Sequence, residues 1–349
     1  MPLPRICLVY TGGTIGMVET PDGLRPPDDP RDFLHIAPEL ERIAEVEFVP
    51  LLNKDSTNMH PRDWALIAEA VCARRNQGYA GFVIAHGTDT MHFSSSAVAF
   101  ALGANLNFPV VFTGAQTIPS VAHGDARINL VRATKVSLTN LAEVVVSFGD
   151  YIFRGCRVQK KDERRFDAFE SPGYFPVGYI SEEIELHPTA KTRAAREEPL
   201  DFRPQFAEGI IQVALIPGLE PEIIVPAIEA DICRGVMLQS FGWGNVPSEP
   251  PFSFEEVIRH SVYDLAKPVI ITSQFPAHTT VGSAYAPGLR AVKAGAIPTG
   301  NMTNAAATAK FRWILAQVES DIRAGTLLES EKIRAVRDGM GRNFVGEMD

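Results

Sequence analysis

The stretch Gly81-Phe82-Val83-Ile84-Ala85-His86-Gly87-Thr88-Asp89-Thr90-Met91 joins a wholly apolar run to a cluster of polar side chains. Well upstream, Ile6-Cys7-Leu8-Val9-Tyr10 leads in the same way into Thr11-Gly12-Gly13-Thr14-Ile15-Gly16. Short continuous apolar runs that end in polar turns read as strands buried on both faces, the pattern of a parallel sheet. In an open α/β sheet, ligands bind beyond the carboxyl ends of the strands, so both turns are placed to converge on one small molecule. Each turn supplies threonine. A hydroxyl attacks a carbonyl only where a base takes its proton, so the pair points to nucleophilic chemistry.

Outward from these strings, strand-like runs alternate with helical periods. Trp64, Ile67, Ala68 and Val71 recur at helical spacing after Pro61-Arg62-Asp63, with Asp63 expected as the N-cap. Ala97 to Ala104 and Leu130 to Leu138 read as helices, interleaved with the strands Val110 to Thr113 and Val144 to Ser147. Between about Glu185 and Glu208 the periodicity fails, and the proline- and charge-rich stretch His187 to Pro199 reads as a surface linker. Beyond it, Ile210 to Ile216, Val236 to Gln239 and Val269 to Thr272 read as strands. Glu222 to Ile232, Phe254 to Leu265, Ala305 to Val318 and Ser330 to Arg337 read as helices. The expected architecture is α/β in two domains. A larger N-terminal domain (1–185), with a mainly parallel sheet flanked by helices, carries the chemistry. A linker (186–209) leads to a smaller C-terminal α/β domain (210–349).

Composition narrows the function classes. The 349 residues are 45% hydrophobic and 21% charged, as in ordinary globular proteins, and the length accommodates two domains. A net charge of −9 disfavours a nucleic-acid or anionic-membrane surface, so neither is an expected partner. Cys7, Cys72, Cys156 and Cys233 form no close pair of metal-ligand or redox spacing. Thr11 to Gly16 matches neither the dinucleotide GxGxxG nor the Walker pattern, and no metal or organic cofactor is expected. The chain opens without a charged leader and long apolar run, which makes a cytoplasmic location the expectation. Taken singly, each string is also compatible with an ordinary strand-to-helix turn, in which Asp89 caps a helix and His86 is a core histidine.

Taken together, TGGTIG at Thr11 to Gly16 and HGTDTM at His86 to Met91 resemble the two signatures of the asparaginase/glutaminase amidohydrolase family, in order and separation. The chain is most similar to the bacterial cytoplasmic, type I, branch. The resemblance extends over nearly the whole chain through Asp55 to Met59, Thr113-Gly114-Ala115-Gln116, Asp125 to Leu130 and Arg154 to Lys160. Phe166 to Phe169, Pro217-Gly218-Leu219, Gly242-Trp243-Gly244-Asn245, Asn301 to Lys310 and Gly346-Glu347 continue it.

The resemblance implies hydrolysis of L-asparagine to L-aspartate and ammonia, with an amino-acid amide as the small-molecule substrate. Thr14 stands at the nucleophilic threonine that forms an acyl-enzyme. Thr88, Asp89 and Lys160 stand at the family's second catalytic group, in which the lysine accepts a proton from a threonine or water, as in a serine–lysine pair. Asp55, Ser56 and Thr57 match the loop that grips the α-carboxylate and α-amino groups, with Thr88, Asp89 and Ala115 also at substrate-binding positions. The resemblance also places the C-terminal domain of one subunit beside the active site of its neighbour, with Asn245 as the candidate residue contributed, so a homodimer or homotetramer is expected.

The chain departs from the family pattern in its flap, where Pro21-Asp22-Gly23-Leu24-Arg25-Pro26 places Leu24 at the position of an assisting tyrosine. Leucine neither relays a proton nor donates a hydrogen bond. Either other groups activate Thr14, or a tyrosine such as Tyr10 substitutes, or the flap aligns differently. Gly124 before Asp125, and Asn304 to Ala307 before Lys310, are smaller departures. Two further readings share the motifs: a non-catalytic amino-acid sensor, and a component of a tRNA-dependent amidotransferase. Retention of Thr14, Thr88, Asp89 and Lys160 disfavours the sensor. The amidotransferase component carries an additional amino-terminal domain, whereas the first signature here begins at Thr11.

Overall fold

The structure, a computed structural model, describes residues 2–21, 23–25, 27, 29–195, 198–275 and 286–349, with residues 30–32 described by their backbone only. Asp22 and Pro26 of the expected flap, and Arg196 and Glu197 of the expected linker, lie outside the described residues. The chain divides into two compact units, Met1–Pro204 and Gln205–Asp349.

In the first unit the strands are β1 (Arg5–Gly12), β2 (Val18–Thr20), β3 (Gly23–Arg25), β4 (Glu45–Lys54), β5 (Gly81–Ala85) and β6 (Val110–Thr113). They continue as β7 (Val144–Phe148), β8 (Tyr151–Arg154), β9 (Gln159–Lys160), β10 (Phe169–Glu170), β11 (Gly178–Ile180) and β12 (Ile184–Leu186). The helices are α1 (Leu40–Ile43), α2 (Pro61–Arg74), α3 (Met91–Leu102) and α4 (Ala126–Ser137). Among the described residues the main sheet has eight strands, in the order β12-β11-β8-β7-β6-β5-β1-β4. From β4 to β7 every pairing is parallel, and β8, β11 and β12 extend the sheet antiparallel. The apolar runs form these central strands because helices cover both faces, and every residue of β5, β6 and β7 is buried. On one face Leu8, Val83, Val111 and Val145 share a core with Leu130 and Ala133 of α4.

Asp63 is not the N-cap of α2. Proline is pre-organised for the first helical position, so the helix starts at Pro61 with His60 as its cap. Asp63 Oδ2 accepts the His60 N–H at 3.1 Å, and both its oxygens take Lys54 Nζ at 2.8 Å.

The stretch expected to be a linker from residue 186 is bound into the first unit as far as Pro204. The Lys191 N–H donates to Glu143 Oε1 at 2.8 Å, the Ala142 N–H donates to Lys191 O at 2.8 Å, and the Arg203 N–H donates to Ala101 O at 2.9 Å. These are backbone ties, which need no hydrophobic periodicity and therefore leave no trace of one.

The second unit contains β13 (Ile210–Ala214), β14 (Gly235–Ser240), β15 (Val269–Ser273) and β16 (Ile297–Pro298). These form a parallel four-stranded sheet among the described residues. Its helices are α5 (Val225–Glu229), α6 (Glu255–Arg259), α7 (Ala286–Lys293), α8 (Asn304–Arg323) and α9 (Lys332–Gly341). The expected helix Glu222 to Ile232 is a 3-10 turn, Pro221–Ile224, running into the shorter α5. Lys310 of α8 and Glu347 form a fully buried ion pair at 2.7 Å, and Lys310 Nζ also donates to Met340 O and Arg342 O.

Candidate active site

β1 lies between β4 and β5, so the turns at the carboxyl ends of these three parallel strands are neighbours. Glycine lets them touch. Gly13 has φ +92°, and a Cβ there would stand 2.4 Å from the backbone N and Cα of Gly87. A Cβ on Gly87 would in turn stand 2.6 Å from Ser56 Oγ. The left-handed backbone at Gly13 and the absence of side-chain bulk at both glycines bring Thr14, Ser56 and Thr88 to one place.

These turns line a cavity of about 260 Å³. Gly13 and Thr14 come from the first turn, Asp55 and Ser56 from the second, and Gly87, Thr88 and Asp89 from the third. Gln116, Lys160 and Glu163 complete the wall. Lys160, at the end of β9, directs its Nζ to Thr88 Oγ1 at 2.8 Å and to Asp89 Oδ1 at 2.6 Å. Thr88 Oγ1 donates to Gln116 Oε1 at 3.1 Å, and Gln116 Nε2 donates to Asp162 O and Arg165 O. Buried Asp125 holds the Gln116 turn by accepting the backbone N–H groups of Gln116 and Thr117. Thr14 opens a single 3-10 turn, a position whose N–H a helix start leaves unused. Its hydroxyl has no hydrogen-bond partner among the described residues. Asp55 Oδ1 accepts both the N–H and the hydroxyl of Thr57. Asp55, Asp89 and Glu163 set three carboxylates against one ammonium, a balance that suits a ligand carrying a positive charge.

Two histidines lie close behind. His86 Nδ1 meets Gly87 O at 2.7 Å, and burial pushes its pKa down to about 4. His92 is pushed down to about 4 by burial, with the charge of Lys160 as a lesser cause. His86 Nε2 and His92 Nδ1 lack hydrogen-bond partners among the described residues.

The structure therefore gathers Thr14, Thr88, Asp89, Lys160, Asp55 and Ser56 around one cavity. Thr57 lies beside it, holding Asp55. Ala115 is buried in the core of the first unit, and the wall at that turn is its neighbour Gln116. Asn245 lies in the second unit, in a turn after β14, with Oδ1 unpartnered among the described residues. Gln116 and Glu163 were not among the candidates; Gln116 ends the string Thr113-Gly114-Ala115-Gln116 that follows β6, whereas no local string distinguishes Glu163 from other loop residues. Leu24 sits on the hairpin formed by β2 and β3 and is 53% exposed. Tyr10 is fully buried beside Phe33 and Phe48, and burial pushes its phenol up to about 12. Neither Leu24 nor Tyr10 lines the cavity. Among the described residues no helix is long and apolar enough to cross a membrane.

A largely parallel unit with hydroxyl, ammonium and carboxylate groups gathered at its strand ends, followed by a second parallel unit, defines a two-domain α/β protein with a polar small-molecule site. The chain belongs to the asparaginase/glutaminase family: residues 5–192 match "Asparaginase, N-terminal" and residues 210–324 match "Glutaminase/Asparaginase C-terminal domain". An L-asparaginase of Thermococcus kodakarensis is 32% identical over 345 residues, covering 99% of each chain. A glutamyl-tRNA(Gln) amidotransferase subunit of Aeropyrum pernix is 32% identical over 357 residues, covering 99% of this chain and 79% of its own. The solved structure of L-asparaginase I from Vibrio cholerae has a TM-score of 0.84 at 30% identity, covering 99% of each chain.

Proposed function

We propose that the protein hydrolyses the side-chain amide of L-asparagine to L-aspartate and ammonia through an acyl-enzyme on Thr14. The observation that carries this reading is Lys160 Nζ, 2.8 Å from Thr88 Oγ1 and 2.6 Å from Asp89 Oδ1, in the cavity that Thr14 enters. Thr14 Oγ1 bonds to the amide carbon, its proton passes to the leaving nitrogen, and the C–N bond breaks to release ammonia. Water then opens the ester, returning the proton to Thr14. Lys160, as a neutral amine, takes and returns a proton in these steps, and Thr88, which accepts a hydrogen bond from Nζ, holds it in place. The unused N–H of Thr14 and the backbone of the Thr88 turn supply donors for the oxyanion. Asp55 and Asp89 attract the α-ammonium, while Ser56 and the turn backbone receive the α-carboxylate. None of these steps calls on a metal, so chelator treatment is expected to leave activity intact.

Ammonia release from L-asparagine by the purified protein tests the reading. Thr14→Ala and Lys160→Met are each expected to abolish turnover with the fold intact. The double variant should be scarcely worse than either single, because residues acting as one unit lose activity non-additively. Wild-type turnover in Thr14→Ala would move the nucleophile to Thr88.

A second reading is favoured by the relatives named as amidotransferase subunits. In it the ammonia is passed to glutamyl-tRNA, whose side-chain carboxylate a partner protein first activates with ATP so that phosphate leaves as the amide forms, instead of being released. It predicts that hydrolysis of free asparagine is slow, and that turnover rises when glutamyl-tRNA, ATP and a partner protein are supplied.

A further inference from the structure

Gln116 has two amide hydrogens and one carbonyl oxygen. Its Nε2 faces Asp162 O at 3.1 Å and Arg165 O at 3.3 Å, two groups that only accept. The nitrogen must therefore point at the loop and Oε1 at the cavity, and the network itself fixes the amide's orientation. Oε1 in turn only accepts, so the single proton of Thr88 Oγ1, 3.1 Å away, is donated to Gln116. A hydroxyl that has given its proton there can only accept from Lys160, whose Nζ stands 2.8 Å off. The direction of every hydrogen bond from the loop carbonyls through Thr88 to Lys160 follows from two backbone oxygens.

We propose that Gln116 is a positioning residue that couples the placement of the loop at residues 162–165 to the orientation of the Thr88 hydroxyl. This rests on the catalytic reading of Thr88 and Lys160 given above. With the loop in place, the Thr88 proton is parked on Gln116 and Lys160 is held as a donor. When the loop lifts, the amide is free to turn and Thr88 loses its fixed acceptor. The same loop carries Glu163 into the cavity wall, so ligand contact with the loop and alignment of Thr88 become one event. Asp125 anchors the backbone of the Gln116 turn and leaves the side chain to respond to the loop.

The test compares Gln116→Met, which keeps the length but neither donates nor accepts, with Gln116→Glu, which keeps an acceptor for Thr88 but cannot donate to the loop carbonyls. Deuterium uptake of the amides of residues 162–166 is measured in both, together with kcat and KM for L-asparagine. Uptake is expected to rise at least about tenfold in both variants. In Gln116→Met, kcat should fall at least about tenfold with KM changed less than threefold, whereas Gln116→Glu should lose less. Unchanged uptake in both variants overturns the coupling, whatever the activity. Raised uptake with kcat unaffected, or lost equally in the two variants, overturns the orienting role, because only the acceptor separates them. A wild-type protein inactive on asparagine would defeat the catalytic reading, and the uptake comparison would still decide whether Gln116 holds the loop.

Discussion

His86 and His92 tie stability to pH. Their folded-state pKa of about 4 lies below the ordinary 6.5, so the unfolded chain binds more protons than the folded one throughout that interval. Stability is therefore unaffected by these rings above pH 6.5 and falls as pH drops towards 4. A shift of this size corresponds to about 3 kcal/mol for each ring at the acid end. Thermal unfolding followed from neutral pH downward should show the loss, and His92→Gln should flatten part of it; a Tm that stays level to pH 5 would contradict this account. Leu24 raises a different question at the same scale. The hairpin that carries it has no hydroxyl to offer Thr14 at that position, so it can contribute by covering the ligand and excluding water. Leu24→Gly is accordingly expected to lower kcat/KM substantially, and Leu24→Tyr to change it by less than about tenfold, or about 1.4 kcal/mol in the barrier. A gain of several orders of magnitude in Leu24→Tyr would show that asparagine is not the substrate for which the flap is suited.

The three stacked turns depend on their glycines more than on any hydroxyl. A Cβ at Gly13 collides with backbone, which has nowhere to go, and Gly13 also has a positive φ. Gly13→Ala should cost more than about 2 kcal/mol in denaturant unfolding, and, by misplacing Thr14, about a hundredfold or more in kcat. At Gly87 a Cβ would meet Ser56 Oγ at 2.6 Å and Ser56 Cβ at 2.7 Å, but the nearest backbone atom is 3.2 Å away and φ is not positive, so Gly87→Ala should be the milder change; the reverse order would refute the stacking argument. The elements that build the turns were legible from sequence. The apolar runs at Ile6 and Gly81 and the period through Trp64, Ile67, Ala68 and Val71 each reflect burial, which residue type reports directly. Asp63 misled because it is an acceptable cap chemically, and only its pairing with the Lys54 ammonium shows why it sits inside the helix. Residues 186–204 were opaque because hydrogen bonds to Glu143 and Ala101 leave no apolar period. Of the cavity wall, the strand-end residues stood out by their turns. Gln116, though its string was visible, and Glu163 did not, since which side chain reaches the cavity is settled only when the loop at residues 162–165 comes to rest.

In the whole molecule, Asn245 remains to be placed. Its Oδ1 has no hydrogen-bond partner among the described residues, and it borders an apolar cavity of about 440 Å³ in the second unit with Phe241, Val246 and Phe252. That oxygen is shielded from solvent, so the proposal that the protein acts as a homo-oligomer with Asn245 turned to a neighbouring copy rests on the family resemblance and not on this atom. Sedimentation at assay concentration should show at least a dimer, and Asn245→Ala should weaken either association or KM; a monomer with full specific activity would end that proposal. The division of labour between the units also has a temporal side. Among the described residues, every one lining the cavity lies between Gly13 and Glu163, and the last strand of the main sheet ends at Leu186. At a synthesis rate of about 5–20 residues per second, residues 205–349 take roughly 7 to 30 seconds to be made. During that interval the ribosome already holds a first unit with all its strands, so the threonines and lysine can be assembled into a pocket before the chain that bears Asn245 has been made.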